Sequence, residues 1–194
     1  MNNQLMNNQL VLQAPTCHKT CNKIWHMRRS GGPGGVGIAY LVNYKQSGHY
    51  AILLGKEKGG RYANTYNMCA GGVDRKDNGC YIAAARRESK EEVKINVDGK
   101  SEFDKKFKDR NGRIRFFMHN GTPIFIGVTN GTSRKDLNFK ISQCNRNFNL
   151  PHCQREMLCV DYFWLSNKQQ IEGKNLPISS FASGVISKID INKL

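Results

Sequence analysis

Gly71-Gly72-Val73-Asp74-Arg75-Lys76-Asp77-Asn78-Gly79-Cys80-Tyr81-Ile82-Ala83-Ala84-Ala85-Arg86-Arg87-Glu88-Ser89-Lys90-Glu91-Glu92-Val93-Lys94-Ile95 is the stretch that decides how the chain is read. A glycine pair closes a strand-like run, a polar loop follows, and an alanine-rich helix begins near Tyr81. Glu88, Glu91 and Glu92 stand at i, i+3 and i+4, so they share one helical face. Ile82, Ala85, Ser89 and Val93 form the neighbouring stripe, which is expected to face the core. Like charges at this spacing repel by roughly a few tenths of a kcal/mol per pair. Two accounts are open. Arg86, Arg87 and Lys90 make a solvated, salt-bridged face, or the carboxylates hold a hard divalent cation, which takes oxygen ligands, water and substrate phosphate.

The same residues resemble the loop–helix signature of the Nudix hydrolases, the Nudix box, over residues 72–95. Arg87, Glu88, Glu91, Glu92 and Ile95 match position by position, and Gly72 matches the opening glycine if the loop is one residue longer. Three positions depart. The first glutamate of the box falls on Gly79 or Asn78, with Asp77 as a possible substitute; Ser89 replaces an apolar residue; Lys94 replaces a glycine. The resemblance implies an α/β fold, a Nudix-type α/β/α sandwich with a mixed sheet. It also implies Mg²⁺ or Mn²⁺ on Glu88, Glu91 and Glu92, with Arg87 orienting a box glutamate, and a backbone at Gly71 and Gly72 that approaches the phosphates. The general base is expected on the box or on a later loop, where Glu156 precedes a strand and is a further candidate ligand.

Composition bounds the partners. With 194 residues the chain is expected to form one domain, residues 34–194, behind an N-terminal extension, residues 1–33, that is partly disordered. The longest apolar runs are far too short to span a bilayer, and the N-terminus lacks the basic-then-apolar order of a secretory signal. Seven irregularly spaced cysteines read as reduced thiols of a cytoplasmic protein. A net charge of +15 predicts a polyanionic partner through counterion release, capped RNA among the candidates and no membrane. Cys17, Cys21 and His26 resemble half of a zinc site, without a second half at a familiar spacing.

Along the chain, residues 36–42 and 49–57 read as strands buried on both faces, and 66–70 as a short strand delivering the glycine pair. Lys56, Lys58 and Arg61 lie on a basic loop and are candidate contacts for substrate phosphates. Residues 96–112 and 130–155 read as loops, 113–119 and 122–129 as a hairpin about Asn120-Gly121, 157–165 as a strand and 178–189 as a weak helix. Two function classes follow. One is a metal-dependent pyrophosphohydrolase, leaning to mRNA decapping over dinucleoside polyphosphate or inositol pyrophosphate cleavage. The other is a catalytically degenerate RNA- or nucleotide-binding module, favoured by the absent first glutamate.

Overall fold

A computed structural model describes residues 11–12, 34–44, 49–77, 79–97, 100–129, 133–146, 157–165 and 177–194. The strands are β1 (Val11–Leu12), β2 (Gly35–Tyr44), β3 (His49–Glu57), β4 (Tyr66–Asn67), β5 (Cys69–Gly72), β6 (Arg115–His119), β7 (Thr122–Thr129) and β8 (Met157–Trp164). The helices are α1 (Tyr81–Glu92), α2 (Lys100–Phe107), α3 (Arg134–Arg146) and α4 (Ser180–Ile186). They build a mixed α/β sheet between helical layers, the α/β/α sandwich architecture. β2 is its centre, parallel to β7 and antiparallel to β3 and β5.

Alternation along the central strands sets the layers. Val36, Ile38, Tyr40 and Val42 of β2, with Ala51 and Leu53 of β3, share a core with Ile82 and Ala85 of α1, Val93 directly after it, Phe103 and Phe107 of α2, and Leu137 and Ile141 of α3. Ala39, Leu41, Ile52 and Leu54 point the other way and pack with Ala182, Val185 and Ile186 of α4. Each fully buried aliphatic side chain of this kind contributes about 1.5–3 kcal/mol. The burial of both strand faces expected from their apolar runs is what the sheet shows.

One stretch positions the site. β2 and β3 pair at residues 41–44 and 49–52 and then separate. Tyr66–Asn67 pairs with β3 at Lys56 and Gly55, and Cys69–Gly72 pairs with β2 from Ile38 to Gly35. Met68, fully buried, is the residue between. Residues 66–72 thus fill the opening between the two strands and carry Gly71 and Gly72 under α1.

Two expectations are corrected. Residues 96–112 contain α2, and residues 130–155 contain α3, where loops were expected. Each helix is held by only two apolar residues spaced i, i+4: Phe103 with Phe107, stacked at 4.5 Å, and Leu137 with Ile141. α3 also covers the free backbone of β8. Asn138 Nδ2 donates to the Val160 carbonyl at 3.1 Å while its Oδ1 accepts from the Val160 N–H at 2.7 Å, and Asn145 donates to the Met157 carbonyl at 3.1 Å. The hairpin turn is as expected, with both Asn120 (φ 48°) and Gly121 (φ 77°) left-handed, as a two-residue I′ turn requires.

The reduced-thiol reading is corrected at two positions. Cys80 and Cys144 each take part in a disulfide, while Cys69 and Cys159 keep their thiols. Spacing alone does not reveal which cysteines a fold brings together. Of the N-terminal extension, Val11–Leu12 pairs antiparallel with Phe116 and Arg115 at the β6 edge. Cys17, Cys21 and His26 lie outside the described residues.

Candidate active site

α1 starts where Gly79, at φ 72°, turns the chain into the helix. A glutamate there would sit in a left-handed conformation that side chains with a Cβ avoid. Asp77, the substitute that the sequence offers for the absent glutamate, is 4 % exposed and pairs with Arg87. Its Oδ2 accepts from Arg87 Nη2 at 2.9 Å and from the Asp74 N–H at 2.8 Å, and its Oδ1 lies 3.2 Å from Arg87 Nε. This paired-donor geometry fixes both the loop and the guanidinium.

Arg87 is the hub. Its Nη1 donates to Glu88 Oε1 at 2.5 Å and to Glu91 Oε2 at 3.1 Å, and its Nη2 donates to the Gly72 carbonyl at 2.6 Å. Burial opposes its charge, but Asp77, Glu88 and Glu91 outweigh that and push its pKa above the ordinary arginine value. The guanidinium therefore stays charged at every pH where the fold survives.

The three glutamates are not equivalent. Glu88 and Glu92 are buried, 4 % and 2 % exposed. Glu88 lies over Gly71, where a Cβ would meet its carboxylate at 2.1 Å, so only glycine leaves room for it. Glu92 Oε2 accepts the N–H of Ala70, the preceding residue of the same strand, at 2.9 Å. Two carboxylates one helical turn apart are thus held against successive residues of β5. Glu91 turns outward, with its Oε1 accepting from Lys76 Nζ at 3.1 Å.

Ser89 and Lys94, where the sequence departs from the signature it resembles, each have a local reason. Ser89, fully buried, donates to the Ile95 carbonyl at 2.7 Å. Its single proton is thereby used, so the Tyr40 hydroxyl donates to Ser89 Oγ. Burial raises the Tyr40 pKa and keeps it a neutral donor. A hydroxyl is accommodated at an apolar position because a second hydroxyl meets it. Lys94 has φ 61°, the left-handed position after a helix that favours glycine. Its ammonium donates to the Glu91 carbonyl at the helix end.

Among the described residues, no group of three His, Cys, Asp or Glu side chains stands close enough to hold a metal ion. Glu88 and Glu92 nonetheless offer hard oxygen donors beside a glycine backbone. Mg²⁺ is usually bound by one or two carboxylates, its remaining positions going to water and substrate phosphate. The donor chemistry of these two carboxylates fits such an ion.

The remaining candidates fall elsewhere. Lys56 lies in β3 in step with Ile52 and Leu54, whose side chains face α4. Lys58 and Arg61 are exposed between β3 and β4, with Arg61 placed 5.5 Å over the Tyr62 ring. None of the hydrogen bonds or ion pairs described joins these three to α1. Glu156 and Asn78 lie outside the described residues. The reading from sequence gave no role to Lys76. Its signal was present as a cation on the loop directly before a helix rich in acid.

No family model matches the chain, and no curated protein matches it in sequence. Solved structures resemble it in fold. A MutT/nudix family protein from Enterococcus faecalis is 17 % identical, with a TM-score of 0.42 over 67 % of this chain, which spans only 42 % of that protein. The NUDIX domain of Shewanella oneidensis NrtR, solved with ADP-ribose, is 10 % identical with a TM-score of 0.43, covering 79 % of this chain and 83 % of that one. RenU, a Nudix hydrolase from M. smegmatis, is 11 % identical with a TM-score of 0.44, covering 86 % and 92 %. What the site can do follows from its own residues.

Proposed function

We propose that this chain is a metal-dependent hydrolase of a pyrophosphate linkage in which a nucleoside diphosphate is joined to another group, with capped RNA as the foremost substrate. The observation that carries this reading is the pair Glu88 and Glu92, buried one turn apart against β5 at Gly71 and Ala70. Replacing buried charges by apolar residues of similar size is often neutral or stabilising. Stability alone therefore does not account for them.

Glu88 and Glu92 would hold Mg²⁺ or Mn²⁺, with Glu156 as a further candidate ligand, while Glu91 is engaged by Lys76 and Arg87. Such an ion neutralises charge developing on phosphate oxygens. Arg87, pinned by Asp77, holds Glu88 in place. Gly71 leaves room for the Glu88 carboxylate, and Gly72, where a Cβ would meet no side chain, would let the strand backbone approach the phosphates. A water oxygen adds to one phosphorus, the bridging P–O bond breaks, and the water proton passes to a carboxylate, with Glu156 as the base. The +15 charge of the chain favours a large anion over a small nucleotide.

A second reading is a binding module for RNA or nucleotides. It is favoured by the engagement of Glu88 and Glu91 with Arg87 and by the lack of three convergent ligands among the described residues. A panel of diphosphate substrates, assayed at fixed salt with Mg²⁺ and with Mn²⁺ and read by product identity, separates the two. Release of nucleoside diphosphate from capped RNA is the expected result. Tight, salt-sensitive RNA binding without turnover of any diphosphate would establish the module instead.

A further inference from the structure

α3 turns an aromatic ring to solvent. Phe139 is 62 % exposed, while Leu137 and Ile141 on either side of it in sequence are buried. A step of two residues rotates a helical side chain by about 200°, so Phe139 stands opposite both. The rotation of the helix is fixed a second time by Asn138 and Asn145, which bond the β8 backbone. The ring therefore faces outward for as long as α3 stays docked.

The surroundings of this ring set it apart from an ordinary exposed apolar residue. Lys135 stands one turn before Phe139 and Arg146 two turns after it, on one stripe about 16 Å long. Lys140 flanks the stripe. All three cations are exposed, and none of their side chains takes part in a hydrogen bond or ion pair among the described residues. Arg134 is not counted with them, because it pairs with Asp161. The helix carries one carboxylate, Asp136, so if it neutralised one of the three cations, two would remain.

A ring face between unpaired cations suits a single-stranded nucleic acid, whose bases stack on the ring while its phosphates meet the charges. A second copy of the chain suits it poorly. A self-complementary contact would set the same cations against each other, on chains of net charge +15. An acidic peptide would meet the cations and gain nothing particular from the ring.

The stripe also lies where a strand leaving the proposed cleavage site would pass. α3 and α1 pack on the same side of the sheet. Asn145, next to Arg146, bonds the Met157 carbonyl at the start of β8. Continued along β2 and β3, the pairing of Leu41 with Ile52 places Val36, the partner of Gly71, about level with Glu57, the partner of Met157. The Arg146 end of the stripe is thus the end toward Gly71.

We propose that the outer face of α3 binds single-stranded RNA, with a base stacked on Phe139 and the flanking phosphates on Lys135, Lys140 and Arg146. The choice of RNA rests on the capped-RNA reading, in which the body of the substrate leaves the site along this helix. Binding itself is tested without turnover.

The full chain is titrated at several salt concentrations with decauridylate and with a ribose-phosphate decamer that lacks bases. Phe139→Ala is expected to weaken decauridylate by about tenfold and to leave the base-free decamer nearly unchanged, while Phe139→Tyr retains binding. Lys135→Gln with Arg146→Gln should weaken both probes and lower the salt slope by about 0.7 per lost phosphate contact. If Phe139→Ala melts early, Phe139→Leu against Phe139→Tyr makes the same comparison with the apolar bulk kept. An unchanged affinity of Phe139→Ala for decauridylate, or an equal loss on the base-free decamer, overturns the proposal. So does self-association in sedimentation that Phe139→Ala abolishes, which assigns the face to a second copy, and so does an equal loss on a decaglutamate peptide, which assigns it to an acidic protein. Decauridylate binding with no turnover of capped RNA removes the hydrolase and leaves the α3 face, whereas turnover without decauridylate binding removes the face and leaves the hydrolase.

Discussion

On the α4 side of the sheet, Leu41, Ile52, Leu54 and Ile126 meet Ala182 and Val185, and the buried titratable group described there is His119 at the end of β6. Its ring lies edge-on to Phe181, centroids 5.4 Å apart, and close to Gly184, where a Cβ would come within 2.8 Å of it. On the α1 side Arg87 pairs with Asp77 and Glu88, all largely buried, and the buried Glu92 accepts the Ala70 N–H. The α4 face is held by volume, and the α1 face carries a paired cluster beside its own apolar core. A volume-filled layer fails when atoms are removed. A paired layer fails when one partner is removed and the other is left charged in the interior. The two faces should therefore respond differently to substitution.

The largest effect expected is Glu92→Gln. The amide oxygen still accepts the Ala70 N–H, so the fold should persist, while diphosphate hydrolysis falls by about 10²–10³-fold. Product release under saturating metal and circular dichroism check the two halves, and unchanged turnover would erase the contrast. Leu54→Ala is its mirror. Urea unfolding should show a loss of about 2–5 kcal/mol, with turnover per folded molecule close to wild type. Gly71→Ala tests the boundary between the faces, because its methyl would land on the Glu88 carboxylate. It should cost about 1–3 kcal/mol by overpacking and lower turnover as well, which a purely apolar site would not do.

The imidazole supplies a pH test of the α4 face. Burial first, and the nearby Lys188 second, lower the His119 pKa below its ordinary 6.5. The unfolded chain then binds the proton more readily, so stability is full above pH 6.5 and falls as the solution is acidified below it. Urea unfolding at about pH 7.5 and about pH 5.5 should show this decline, and His119→Gln should reduce it. The smallest effect expected is at the end of α1. Lys94→Gly relieves a left-handed lysine and should stabilise the chain by about 0.5 kcal/mol, read as a small rise in melting temperature.

Much of this contrast is legible in the sequence. The strands of the core announce themselves because residues buried on both faces leave long apolar runs, as 36–42 does. The helical stripe of Ile82, Ala85, Ser89 and Val93 was readable for the same reason, and all four are buried. α2 and α3 were not, because Phe103 with Phe107 and Leu137 with Ile141 are too few to impose a period on charged surroundings. Within the site, spacing placed Glu88 and Glu92 together but also grouped Glu91 with them. What turns Glu91 outward is Lys76, fifteen residues earlier on a loop whose path depends on Asp77 and Gly79. Long-range loop geometry of that kind leaves no periodic trace.

Residues 66–72 change partner strands across Met68. Side chains alternate along an extended chain, so one residue added or removed there would turn Gly71 to the opposite side of the layer. The segment acts as a ruler between two anchor points. Its length is consequently closed to drift, and any broadening of what the protein accepts must be written into the loops around it.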